Sequence, residues 1–227
     1  MDESVGMMMD IPVFGVDLYI WLLLSSGIFY FISAMLIWKP FKQEGNELIH
    51  ALFAFLIYQS ISMIFMGVEM WTMNIFYSNI AALSIFIGSA YMLKFPFSKL
   101  SKNTRNIAFM TTILILLGIF VWFMLTEEKQ HMLMNFVLWY DLAINGIVVG
   151  GSIILFSMMS IDKIKKRKTI AGGAGVISCC VVANATMITG ALTVSAIFQF
   201  LAPLLIIASI KFPKKDPVQD NHNTANI

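Results

Sequence analysis

The chain has 227 residues, 59% of them hydrophobic and 12% charged, with a formal net charge of +2. Soluble domains run at roughly 45–50% apolar and 25% charged, so there is too little polar surface here to cover a water-facing globule. That excludes a soluble enzyme, gives no basis for a nucleic-acid partner, and makes the bilayer the natural solvent for the long apolar runs.

The amino terminus, MDESVGMMMDIP, is acidic and lacks Lys and Arg. A cleaved secretory signal starts with a basic region, so no processing is expected and the first helix should stay as a signal-anchor. Seven apolar spans follow, at about residues 13–38, 47–66, 71–93, 107–126, 133–159, 169–189 and 192–212. Each approaches or exceeds the ~20 residues that cross a hydrocarbon core of about 30 Å at 1.5 Å per residue. Backbone groups must pair internally in lipid, so the spans are helices. The expected fold is all-α: one transmembrane domain over residues 1–212, with a polar, disordered cytoplasmic tail over 213–227. Span four, IAFMTTILILLGIFVWFML, has two threonines as its polar content and is expected to face lipid most.

Charge placement sets the orientation. Lys39 and Lys42 follow span one; Lys94, Lys99, Lys102 and Arg105 follow span three. Lys163, Lys165, Lys166, Arg167 and Lys168 follow span five, and Lys211, Lys214 and Lys215 follow span seven. Of the 15 basic residues only Lys129 falls on the other side. The positive-inside rule puts the amino terminus outside and the carboxyl terminus in the cytoplasm of a multi-pass cell-membrane protein. The basic face is also suited to anionic lipid head groups. The turns GVEM, TEEKQHM and TGA are short, so neighbouring helices should form tight antiparallel hairpins in one bundle. A homo-oligomer or a membrane-complex partner is compatible with this layout.

Polar residues inside lipid are costly. Asp141, about a third of the way into span five, costs about 2.5–3.5 kcal/mol if ionised there. It should face the bundle interior and either bind a partner or hold a proton. His131, Met134, Asn145 and Ser152 stand at helical offsets from it, a polar track entering from outside. The track reads as an ion, proton or polar-solute site; a carboxyl that hydrogen-bonds helices together is the alternative. Asn74, Tyr77, Ser78, Ser84 and Gly88 make a second polar face on span three. Gln59, Asn184 and Gln199 are further candidates to meet near mid-membrane. The expected binding residues are therefore Asp141, Asn145, His131, Asn74 and Gln199.

Small residues promise close packing. Gly146, Gly150 and Gly151 on span five and Ala171–Gly175 on span six should let these two backbones approach. Methionine is abundant, with 17 residues. Met70, Met73 and Met134 beside His131 would make a soft thioether–imidazole site for Cu(I), although Met also fills apolar cores and Gly67 is expected to break the helix that would align them. Cys179 and Cys180 fit neither a disulfide framework nor a CxxC motif and read as two small buried residues.

Catalysis has no foothold. The three histidines, His50, His131 and His222, are too scattered to ligate haem in mid-membrane, and HExxH, GxSxG and CxxC are absent, so no enzyme is expected. Microbial opsins and SWEET-type sugar transporters share the seven-span topology. Span seven has its only lysine, Lys211, at its cytoplasmic end, so retinal is not expected; SWEET-type proteins carry prolines in several helices, whereas Pro203 is the only clearly mid-helix proline of this chain. Three functions stay open: a small transporter or channel-like protein, a receptor-like module relaying to a cytoplasmic partner, and an accessory subunit of a membrane enzyme complex.

Overall fold

The computed structural model describes residues 12–13, 16–44, 47–126, 130–159 and 163–211. A short antiparallel pairing of β1 (Pro12–Val13) with β2 (Val16–Asp17) leads into α1 (Leu18–Glu44). Then come α2 (Glu47–Thr72), α3 (Ile75–Met92), α4 (Lys102–Met124) and α5 (Gln130–Asp141). The fifth span continues from α5 through a π-helical stretch, Leu142–Gly150, into α6 (Gly151–Met158). The sixth is built likewise, from α7 (Lys163–Ile177), a π-helical stretch Ser178–Ala183, and α8 (Asn184–Ile188). The chain closes with α9 (Leu192–Lys211), which runs through Pro203. Among the described residues, seven helical spans are long and apolar enough to cross a membrane.

Several expected boundaries shift. The first span starts at Leu18, because the residues before it are paired in extended form. α2 runs on through Gly67 to Thr72, so the expected GVEM turn is helix. Gly67 is not a break: a Cβ there would meet the Leu24 side chain at 2.9 Å, so the glycine lets α1 and α2 touch. The actual turn is Met73–Asn74, with Met73 at φ 54°, and span three begins at Ile75 rather than Trp71. α4 starts five residues before the expected Ile107, where Ser101 caps it by accepting from the Thr104 N–H at 3.3 Å. Residues 1–11, Lys129 and the expected tail 213–227 lie outside the described residues.

Packing makes a ring. α1 packs on α2, α2 on α3, α3 on α5, the fifth span on the sixth, the sixth on α9, and α9 back on α1. Neighbours in sequence run antiparallel: Gly27 meets Ile64 while Gly67 meets Leu24, and Tyr58 stacks on Tyr91 while Phe65 stacks on Tyr77. α4 stands outside this ring against α3 and α5, through Leu116 and Phe123. Only 11% of its membrane window is buried, against 33–50% for the other six, so span four is the least buried of the seven, as its near-absence of polar residues led one to expect. Lys94 ties its start to α3, with Nζ 4.6 Å from the Phe109 ring and 5.4 Å from the Tyr91 ring.

Spans five and six press together as their glycines require. A Cβ at Gly146 would run into Val181 and come within 3.3 Å of the Cys180 backbone, and one at Gly150 would meet Ile177 at 2.7 Å. Gly173 answers from the sixth span against Ile154 at 2.9 Å. Gly175 does the same toward α9, 2.8 Å from Ile206 and 3.0 Å from the Ala202 carbonyl. Gly151 meets nothing within 4 Å and takes no part in this contact.

Candidate functional site

Inside the ring, each of its six spans contributes a fully or almost fully buried polar side chain, among them Tyr30, Gln59, Ser89, Asp141, Cys179 and Gln199. They form two connected groups. The first centres on Asp141, 1% exposed. Its Oδ1 accepts from Asn145 Nδ2 at 2.5 Å and from Ser89 Oγ at 3.4 Å; its Oδ2 accepts from Asn184 Nδ2 at 2.7 Å. The Cys180 thiol also lies within hydrogen-bonding reach of the carboxyl. Asn145 Nδ2 donates a second time, to Ser89 Oγ at 2.6 Å. Spans three, five and six thus converge on one carboxyl, and no Lys or Arg among the described residues is paired with it.

The local backbone explains the convergence. Asp141 closes α5 and Asn145 lies in the π-helical stretch that follows. Bonding from i to i+5 widens the turn, and such stretches concentrate at functional sites. Cys179 and Cys180 lie in the second π-helical stretch and Asn184 begins the helix after it. The two widened segments face each other across the Gly146 contact, so the close approach of backbones is also what brings Asn184 to Asp141.

The second group crosses the ring interior. Gln59 Nε2 donates to Cys179 Sγ at 3.1 Å, and the thiol donates on to Gln199 Oε1 at 3.1 Å, linking spans two, six and seven. Gln199 Nε2 reaches back to the Cys179 carbonyl at 3.5 Å. Tyr30, fully buried, brings its hydroxyl beside Cys179. Adjacent cysteines therefore join the groups, one thiol facing Asp141 and the other the two glutamines.

A cavity of about 210 Å³ lies in the part of the bundle nearer the expected basic loops, lined by Leu52, Phe95, Ile153, Gly172, Val176, Ile206 and Ser209. Its lining is apolar apart from Ser209, and Val176 stands one helical turn before Cys179 and Cys180. Asp141 does not line it.

Of the expected binding residues, Asp141 and Asn145 meet directly and Gln199 joins the neighbouring group. Asn74 stands apart: it is exposed and caps α3, its Oδ1 accepting from the Phe76 N–H at 3.0 Å. The His131 side chain lies outside the described residues. The expected track does not continue to Ser152, whose hydroxyl bonds its own helix at the Val148 carbonyl. The widened turns between Asp141 and Gly150 rotate Ser152 away from the face an α-helix would have given it. In the expected soft-metal set, Met73 is 82% exposed on the turn, whereas Met70 and Met134 pack against the core. No group of three or more His, Cys, Asp or Glu side chains among the described residues is placed to hold a metal ion.

Ser89 and the roles of both cysteines were not anticipated. On α3, Gly88 turns toward α2, where a Cβ would meet Tyr58 at 3.2 Å, and Ser89 turns toward the fifth span. The helix is buried on both sides, so its visible polar face was a poor guide. No protein-family model, curated protein or solved structure matches this chain.

Proposed function

We propose that this chain is a small membrane transporter or channel-like protein for an ion or polar solute, with Asp141 as its intramembrane binding or protonation site. The observation that carries the reading is the carboxyl itself: almost fully buried between spans three, five and six, and held by amide, hydroxyl and thiol donors from them. Helix association alone needs much less, since interhelical hydrogen bonds in membranes average about 0.6 kcal/mol each. A carboxyl with no basic partner among the described residues is a costly way to obtain them. The two π-helical stretches flanking the site supply backbone that can rearrange. Asn145 and Asn184 orient the carboxyl.

The test is flux into proteoliposomes, read with an entrapped pH-sensitive dye and with radiolabelled cations. Asp141→Asn keeps the size and two hydrogen-bonding atoms but cannot ionise. It is expected to cut flux by at least about tenfold, equivalent to 1.4 kcal/mol, and to remove its dependence on pH. Flux unchanged by this substitution across the pH range would end the proposal.

A further inference from the structure

We infer that the ion taken up by Asp141 is the proton, and that the side-chain amide of Asn145 turns over as the proton comes and goes. The inference rests on the reading of Asp141 as a binding site and names what it binds.

The cage of donors around Asp141 is too close for a metal ion. Asn145 Nδ2 stands 2.5 Å from Asp141 Oδ1 and 2.6 Å from Ser89 Oγ, and Asn184 Nδ2 stands 2.7 Å from Asp141 Oδ2. Both carboxyl oxygens are thus in direct contact with protein donors, and those side chains are themselves buried. Hard cations such as Mg²⁺ and Ca²⁺ sit about 2.0–2.6 Å from several oxygens at once, and would have to push these donors aside. A proton needs no such space. It lies within a hydrogen bond, and O–H···O bonds run at about 2.5–3.0 Å between heavy atoms.

The charge of the carboxylate also lacks a fixed partner. The Cys180 thiol on the sixth span bonds it, and the Tyr140 and Tyr30 phenols, on α5 and α1, lie within electrostatic reach. From α3 it meets the Ser89 hydroxyl. Thiols and phenols, with reference pKa values of about 8.5 and 10, carry no charge at neutral pH. No Lys or Arg among the described residues is paired with Asp141. An unpaired carboxylate in a low-dielectric interior is expensive, and one proton removes the whole charge.

The Asn145 amide can serve either protonation state. Its Oδ1 is buried without a hydrogen-bond partner, whereas its Nδ2 serves two acceptors at once. That orientation suits the carboxylate, which also accepts from the Ser89 hydroxyl at 3.4 Å. A protonated Asp141 is a donor and needs an acceptor. Half a turn about the Asn145 Cβ–Cγ bond puts Oδ1 where Nδ2 stood, ready to accept from the acid O–H and from the Ser89 hydroxyl together. Asn184 Nδ2 stays on Oδ2 in both states and keeps the carboxyl in place. Uptake forms one O–H bond at Asp141 Oδ1 with a proton from water, and release returns that proton to water.

The experiment is pH-difference infrared spectroscopy on the full chain in lipid nanodiscs, beside flux into proteoliposomes. The C=O stretch of a protonated carboxyl is expected to grow as pH falls, with one component that titrates as a single proton and is lost in Asp141→Asn. Asp141→Glu, which keeps an ionisable group, should shift that component rather than remove it, and assigns it if Asp141→Asn does not fold. Asn145→Leu, close in shape, takes away the acceptor and should move the component to higher frequency. A spectrum with no component that either Asp141 variant removes or shifts overturns the inference, and a component that Asn145→Leu leaves unmoved overturns the part given to the amide. Asp141-dependent flux of radiolabelled Na⁺ or K⁺ with no response from an entrapped pH-sensitive dye keeps the transport reading and overturns the proton. A titrating Asp141 component in a protein that moves neither protons nor cations does the reverse.

Discussion

Cys179 is the residue whose part in the molecule changed most between sequence and structure. A thiol is a weak donor and a weak acceptor, and in sequence the Cys179–Cys180 pair looks like small apolar filler. In the folded chain the Cys179 sulfur accepts from Gln59 and donates to Gln199, so two amides from different spans depend on it. Cys179→Ala should leave Gln59 Nε2 and Gln199 Oε1 without this partner. Leaving buried polar groups unpaired costs about 1–3 kcal/mol. Cys179→Ser loses similar volume but keeps a hydroxyl to bridge the glutamines, and is expected to recover most of that loss. Thermal unfolding of both variants in the same detergent checks this; equal midpoints would mean that the thiol only fills space. Asp141 and Asn145 were legible as a pair because they stand four residues apart on one span. Ser89 was not, because nothing in one sequence says which side of a doubly buried helix meets which neighbour.

At the scale of elements, the glycines separate into those that fix a contact and those that do not. Gly146 and Gly151 lie five residues apart on one span, and sequence gives them equal claims to a small-residue face. In the structure Gly146 is pressed against Val181 and the Cys180 backbone, while Gly151 has open space around its would-be Cβ. Gly146→Ala should force the two π-helical stretches apart and destabilise by about 1–3 kcal/mol, the usual range for overpacking. Gly151→Ala should be neutral or stabilise by up to about 1 kcal/mol, through helix propensity. Midpoints from thermal unfolding decide it, and equal losses at the two sites would contradict the packing described. The π-helical stretches themselves could not be read in advance. A widened turn has no apolar period of its own, and it arises where two helices must approach closely while buried polar groups find partners.

For the whole molecule, the basic residues carry a prediction about orientation. Cysteines placed singly at Ser101, before α4, and at Thr126, after it, should sort to opposite sides of the membrane. By the positive-inside rule, Ser101→Cys should react with an impermeant maleimide only after permeabilisation, and Thr126→Cys in intact cells. Cys179 and Cys180 are fully buried and should not contribute background. The opposite pattern would reverse the orientation, and with it the side on which the apolar cavity lies.

Composition and run length alone determined that this is an all-helical chain of seven spans, because apolar residues in such numbers and such runs have no stable arrangement in water. The same patterning marked span four as the lipid-facing helix, since it carries almost nothing polar. Tertiary structure alone decided that the other six spans close into a ring, and that Asp141 sits inside it between Ser89, Asn145 and Asn184. It also decided that Asn74 is a helix cap far from that cage. The reason is the bilayer: hydrophobicity identifies what enters it but does not distinguish one apolar face from another. Which helices become neighbours is set by where small residues allow backbones to touch and where buried donors find acceptors, and both are properties of pairs of segments distant in the chain.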